Sequence, residues 1–244
     1  MRRWLPVLLV PLLLLAGCGS DDEGTATSAA PKAKPTVLAA ASLTEAFEEL
    51  GGATFTFAGS SALVTQVQQG APADVFASAD EKNMQKLVDA GLVETPRVFA
   101  RNTLEIVTKP GNPKGIHSLA DLAKPGVAVV LADPTVPVGG YAQQVLTKAG
   151  VSLKPVSLEV DVKAVLTRVT IGDADAGIVY ASDAQAAGSK AVGVEIPKAQ
   201  NVIAAYPIAV VKAAPHKAAA RAFVQAVLGA KGQAALEAHG FLPA

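Results

Sequence analysis

Two α/β lobes, each a mixed sheet flanked by helices, are predicted by three features of the sequence. Short aliphatic runs alternate with longer amphipathic ones, the signature of βα units. Half of the residues are hydrophobic and 17% are charged, which is enough apolar surface to bury a core and too much for a disordered chain. The 244 residues leave room for one large domain or two of roughly 100 residues each.

Residues 1–35 stand outside that alternation. Arg2 and Arg3 precede an apolar run over 5–16, and about a dozen residues fall short of the roughly 20 that span a bilayer but suit a secretory signal. The run ends in Leu15-Ala16-Gly17-Cys18, which resembles the lipobox of bacterial lipoproteins. The expected division is a signal peptide at 1–17, then a lipidated Cys18 and a flexible, small and polar tether to residue 35. Loss of the leader removes Arg2, Arg3 and the only tryptophan, Trp4, and leaves 19 basic against 21 acidic groups. The expected location is extracytoplasmic, held to the cell membrane by the lipid. A chain this close to neutral lacks the basic face that a nucleic-acid binder needs. A single cysteine excludes an internal disulfide framework and a cysteine metal cluster.

The first lobe opens with a strand at 36–41 and a helix after it, where Ser42-Leu43-Thr44-Glu45 has the capping-box spacing. A strand at 54–57 leads to a helix beginning at Ser60 or Ser61, with Leu63, Val64 and Val67 at helical spacing. A third strand at 73–78 and a helix at 79–90, stopped by Gly91, follow. The second lobe carries strands at 103–108, 127–131, 176–180 and 192–196, with helices at 139–149 and 161–170. A strand at 202–211 and two amphipathic helices, 215–228 and 231–239, close the chain and complete the first lobe. The expected lobes are 36–101 with 206–244, and 102–205, with two interlobe crossovers near 99–101 and 205–207.

Enzyme signatures are missing: the sequence has no Gly-x-Ser-x-Gly elbow, no His-Glu-x-x-His, no phosphate loop and no dinucleotide fingerprint. No enzyme activity, catalytic residue or cofactor is expected. His117, His216 and His239 read as surface residues. Asp74, Asp80, Asp173 and Asp175 read as caps or solvated turns, with a hydrolase using Asp74 or Asp80 as the rival. What recurs is a short neutral residue where a strand ends and a helix begins: Ser42, Ser60, the turn Val136-Pro137-Val138-Gly139-Gly140, and Asp161-Val162. Helix starts carry unpaired N–H groups and the positive end of the dipole, so several that converge make an anion site. Each start also has a plainer reading, as a cap that satisfies its own helix.

These turns resemble the periplasmic molybdate-binding proteins of ABC importers. The resemblance rests on Ala39-Ala40-Ala41-Ser42-Leu43-Thr44, Phe57-Ala58-Gly59-Ser60-Ser61, the run from Gly70 to Asp80, Asp133-Pro134, Val136-Pro137-Val138-Gly139, the run from Asp173 to Tyr180, and Tyr206-Pro207-Ile208-Ala209-Val210-Val211. It implies a two-lobed, type II periplasmic-binding-protein fold that closes on molybdate or tungstate and delivers it to a permease with its ATPase. It further implies Ser42 and Ser60 as hydroxyl and backbone donors, Val138 and Val162 as backbone N–H donors, and Tyr180 as a phenol donor. Molybdenum would enter only as the oxyanion, with no direct protein ligand to the metal. Another tetrahedral oxyanion such as sulfate is the alternative ligand, and a monomer is expected. The chain is short between Thr44 and Phe57, so the first helix is expected to be clipped.

Overall fold

The computed structural model describes residues 33–244. The expected signal peptide, Cys18 and all of the tether except its last three residues lie outside the described residues.

The described chain forms ten strands: β1 (Thr36–Ala40), β2 (Thr54–Ala58), β3 (Val75–Ala77), β4 (Arg97–Asn102), β5 (Leu104–Thr108), β6 (Val129–Ala132), β7 (Ser157–Glu159), β8 (Ala176–Tyr180), β9 (Val192–Glu195) and β10 (Ala204–Val210). They make two five-stranded sheets, ordered β2-β1-β3-β10-β4 and β7-β6-β8-β5-β9. In the first, β1 lies parallel to β2 and β3, while β10 runs antiparallel to β3 and β4. The second repeats that plan, with β6 parallel to β7 and β8, and β5 antiparallel to β8 and β9.

Burial follows from position. The inner strands β1, β3, β6 and β8 are aliphatic and almost continuously buried, as expected of strands covered on both faces. The edge strand β2 mixes exposed and half-buried residues. Eight helices cover the sheets: α1 (Thr44–Leu50), α2 (Ser60–Gln68), α3 (Glu81–Asp89), α4 (Pro137–Lys148), α5 (Val162–Thr170), α6 (Ala181–Ala187), α7 (Lys217–Leu228) and α8 (Ala230–Ala238). The last two pack on the first sheet and on α1. There Phe47 meets Phe55, Phe99 and Phe223 at ring-centroid distances of 5.6–5.9 Å, a cluster that fastens α1, β2, β4 and α7 together.

The chain passes between the sheets twice, from β4 to β5 and from β9 to β10. The flanking residues are themselves paired strand, with Ala204 opposite Asn102 and Ala205 opposite Arg101. The register shifts between Tyr206 and Pro207, which accommodates a proline that has no N–H to give the ladder.

Three elements are present where no strand or helix was expected. β4 carries Arg97, Arg101 and Asn102 among its apolar residues; β7 has three residues at a sheet edge; α6 is built from small residues with little periodic contrast. The first helix is short, at seven residues. The capping box is not formed. Ser42 lies in a 3-10 turn over Ala41–Leu43, α1 has no side-chain cap, and Thr44 Oγ1 donates back to the Ala41 carbonyl at 2.7 Å.

Candidate ligand-binding site

The parallel strands of both sheets end toward a shared cleft, the place where open α/β sheets bind ligands. Ser42, Ser60, Val138, Val162 and Tyr180 line one small cavity there, of about 10 Å³. All five are buried, none more than 3% exposed, so hydrogen bonds made inside are little weakened by water. A wider, open groove beside it, lined by Asp80, Tyr141, Gln144 and Lys148 among others, contains none of the five.

Helix geometry supplies the donors. α2 is preceded by Gly59 and α4 by Val136, neither of which offers a side-chain cap. First-turn N–H groups of a helix have no intrahelical partner; Ala62 N–H turns back to the Gly59 carbonyl at 3.0 Å, so Ser60 N–H on α2 and Val138 N–H on α4 are the ones left to whatever occupies the cavity. Proline at the first position of α4 removes only an N–H that would be unpaired anyway, which makes Val138 N–H the leading donor there. On α5, Asp161 spends its carboxylate on Ala164 N–H at 2.8 Å, and Val162 N–H is left over.

The hydroxyls are oriented by neighbours. Ser60 Oγ accepts from Ala79 N–H at 3.1 Å, so its own hydrogen is available to the cavity. Ser42 Oγ stands 3.0 Å from Tyr206 Oη, and with Tyr206 donating, the Ser42 hydrogen turns inward as well. Tyr180 Oη is buried and makes no hydrogen bond to another protein group. Burial, reinforced by the nearby Tyr206 and Tyr141, pushes this phenol well above its ordinary pKa, so it keeps its proton and needs an acceptor. No lysine or arginine lines the cavity. The arrangement offers neutral donors from both sheets and suits a small ligand rich in acceptors.

A family model described as bacterial extracellular solute-binding protein matches residues 35–242. The chain belongs to that family. This solute-binding protein is 42% identical to the molybdate-binding protein ModA of Mycobacterium tuberculosis H37Rv, over 98% of each chain. It is 31% identical to the protein of that name from Escherichia coli K12, again over 98% of each. Its fold is shared by the periplasmic molybdate-binding protein of Azotobacter vinelandii, with a TM-score of 0.77 at 24% identity over 86% of this chain and all of that one.

Asp161 also lines the cavity, as the cap of α5; the other titratable residues of the solute-binding protein lie outside it. Asp74 is a buried clamp: its carboxylate accepts from Thr36 N–H and His216 N–H, each at 2.8 Å, and contacts His216 Nδ1 at 3.1 Å. Asp175 does the same in the second sheet, accepting from Ala128 N–H at 2.9 Å and from Lys109 at 3.1 Å. Neither is the solvated turn or helix cap that its position suggested. Asp80 does cap α3, through Asn83 N–H at 2.9 Å, and Asp173 pairs with Arg168. Asp74 and Asp80, the two carboxylates of the hydrolase reading, are thus both engaged within the fold. His216 is exposed, as expected of a surface residue, and pairs with Asp74; His239 is half-buried and pairs with Glu49 at 2.7 Å. Sequence reasoning missed the roles of Ala79 N–H and Tyr206, because both depend on register between distant strands.

Proposed function

We propose that this protein captures molybdate in the cleft between its two lobes and hands it to an ABC permease with its ATPase. The carrying observation is the convergence of Ser42, Ser60, Val138, Val162 and Tyr180 on one buried cavity with donors and no cation. Ser42 and Ser60 donate through hydroxyl and backbone from the first lobe. Val138 and Val162 donate through the backbone, and Tyr180 through its phenol, from the second. The anion's acceptors bridge the lobes and favour the closed state by contacts that the open state lacks. The lobes divide at the crossovers, with residues from β1 to β4 and from β10 onward in the first and those between in the second.

Donors that are already committed elsewhere as acceptors, as Ser60 is, penalise a ligand that carries its own proton, because two hydrogens would then meet. A fully deprotonated oxyanion fits, tungstate as well as molybdate, and hydrogen phosphate does not. The protein works as a carrier without catalytic chemistry or a resident cofactor. It acts as a monomer outside the cytoplasm, anchored through lipid on Cys18.

Titration calorimetry with molybdate, then with sulfate in large excess as competitor, tests this reading. One-to-one molybdate binding that sulfate fails to displace is the expected result. Displacement by sulfate would reassign the site to the smaller oxyanion, and no heat with either would remove the oxyanion reading.

A further inference from the structure

One cation stands between the lobes. Lys163, the second residue of α5, directly follows Val162 of the cavity wall. Its Nζ donates to both carboxylate oxygens of Glu45 on α1, at 2.7 and 2.8 Å, and lies 3.0 Å from Asp183 on α6. Among the described residues this is the one ion pair whose partners belong to elements of different sheets. Glu45 belongs to the first lobe, and Lys163 and Asp183 both belong to the second.

The three groups differ in burial. Asp183 is fully enclosed, whereas the side chains of Lys163 and Glu45 are 27% and 37% exposed. When the lobes part, Asp183 travels with Lys163, because α5 and α6 pack together, and the ammonium keeps a counter-ion. Glu45 alone loses its partner. Opening therefore costs the Glu45–Lys163 pair without stranding a buried charge, and closing restores it beside the ligand.

Resting on the reading that the lobes close over a ligand, we infer that Glu45 and Lys163 form a latch across the cleft that sets how long the ligand is held. The latch touches no ligand atom. It acts on the closed population, so it slows release and leaves capture by the open form nearly unchanged. Its strength falls with salt, since two of its three groups are partly exposed.

Zero-length carbodiimide coupling, read by peptide mass spectrometry, tests contact directly, because it joins a carboxylate to an amine only where the two touch. The expected product is a Glu45–Lys163 amide whose yield rises when molybdate is added. A Lys163 product with Asp183 alone, in the presence or absence of molybdate, would overturn the latch. A Glu45–Lys163 product indifferent to molybdate, in a protein that calorimetry shows to bind molybdate, would overturn the latch as well, whereas no calorimetric binding would sink the molybdate reading alone. In parallel, Glu45→Gln is expected to raise the molybdate off-rate about fivefold at low salt, measured by chase of radioactive molybdate, with the on-rate unchanged and the difference shrinking at high salt. An unchanged off-rate in a variant that melts like the wild type would refute the proposal.

Discussion

Tyr180 is the residue whose chemistry is most constrained. Its hydroxyl is buried without a protein partner, a cost of about 1–3 kcal/mol in a folded protein that a bound acceptor would relieve. Tyr180→Phe is therefore expected to leave the fold intact and to weaken molybdate binding by about 1.5–3 kcal/mol, the worth of one hydrogen bond to a charged group. Roughly ten- to a hundredfold in calorimetric Kd is the corresponding change, and an unchanged Kd would place the ligand elsewhere. Gly59 is constrained differently. A Cβ on it would lie 2.6 Å from the carbonyl oxygen of Val160 and 3.6 Å from Asp161 Cβ, both on the far side of the cleft. Its backbone is ordinary, so Gly59→Ala brings no strain of its own and acts only as a wedge. The expected outcome is weaker binding with an unaltered melting temperature of the ligand-free protein. A variant that binds as tightly as the wild type would show that the lobes do not approach this closely around the ligand.

At the scale of elements, each lobe fastens the amino-terminal edge of its sheet with one aspartate. Asp74 and Asp175 precede β3 and β8, strands at matching places in the two sheet orders, and each accepts a backbone N–H at the entry to the neighbouring parallel strand. Burial raises both carboxyls, but hydrogen bonds outweigh it, from Thr36 and His216 to Asp74 and from Ala128 and Lys109 to Asp175, and both end below the usual carboxylate range. Their contribution is complete above an unfolded pKa of about 4 and is lost as pH falls through the lower folded values. Asp183 has the opposite sign. Burial, opposed by Lys163, pushes it up to about 6, so its contribution is complete below about 4 and is lost as pH rises through 6. Thermal melts against pH are expected to decline on both sides of a maximum near pH 4–5. Asp183→Asn should flatten the decline between 4 and 6 and leave the acid side in place. Persistence of the neutral-side decline in that variant would assign it to another group.

How far these elements could be read from sequence depended on contrast. The strands β1 and β8 are almost wholly apolar runs, and Leu63, Val64 and Val67 are all buried on α2, so period and composition agreed with the fold. β4 and β7 lacked that contrast, and their strand character comes from pairing with β10 and β6. The site was legible as a set of helix starts, but the reason was only half visible. Ser42 and Ser60 looked like caps; the fold makes α2 begin on Gly59 and puts Ser42 in a 3-10 turn, which frees both hydroxyls. Lys163, Tyr206 and Gly59 gain their roles from neighbours more than 100 residues away, and no local pattern announces them.

For the molecule as a whole, two sheets of the same order face each other so that equivalent ends meet at one cavity. A ligand held by both lobes binds the closed, folded state and stabilises it by mass action. At a free concentration of a hundred times Kd that amounts to about 2.7 kcal/mol. For a protein of this size each kcal/mol moves the midpoint by about 2–4 °C, so molybdate is expected to raise the melting temperature by roughly 5–10 °C. Sulfate at the same concentration should give much less, because its smaller tetrahedron leaves some donors of one lobe short of an acceptor. Hydrogen phosphate should give nothing, because its proton confronts a wall of donors. The order of the three anions in a single melting series thus reports two separate properties of the cavity. Size is read from molybdate against sulfate, and the demand for a proton-free ligand is read from sulfate against phosphate. Equal shifts from sulfate and phosphate would mean that at least one of Ser42, Ser60 and Tyr180 can turn its hydroxyl to accept. For Ser42 that requires breaking the bond from Tyr206, so Tyr206→Phe, which removes that bond, should weaken the discrimination against phosphate.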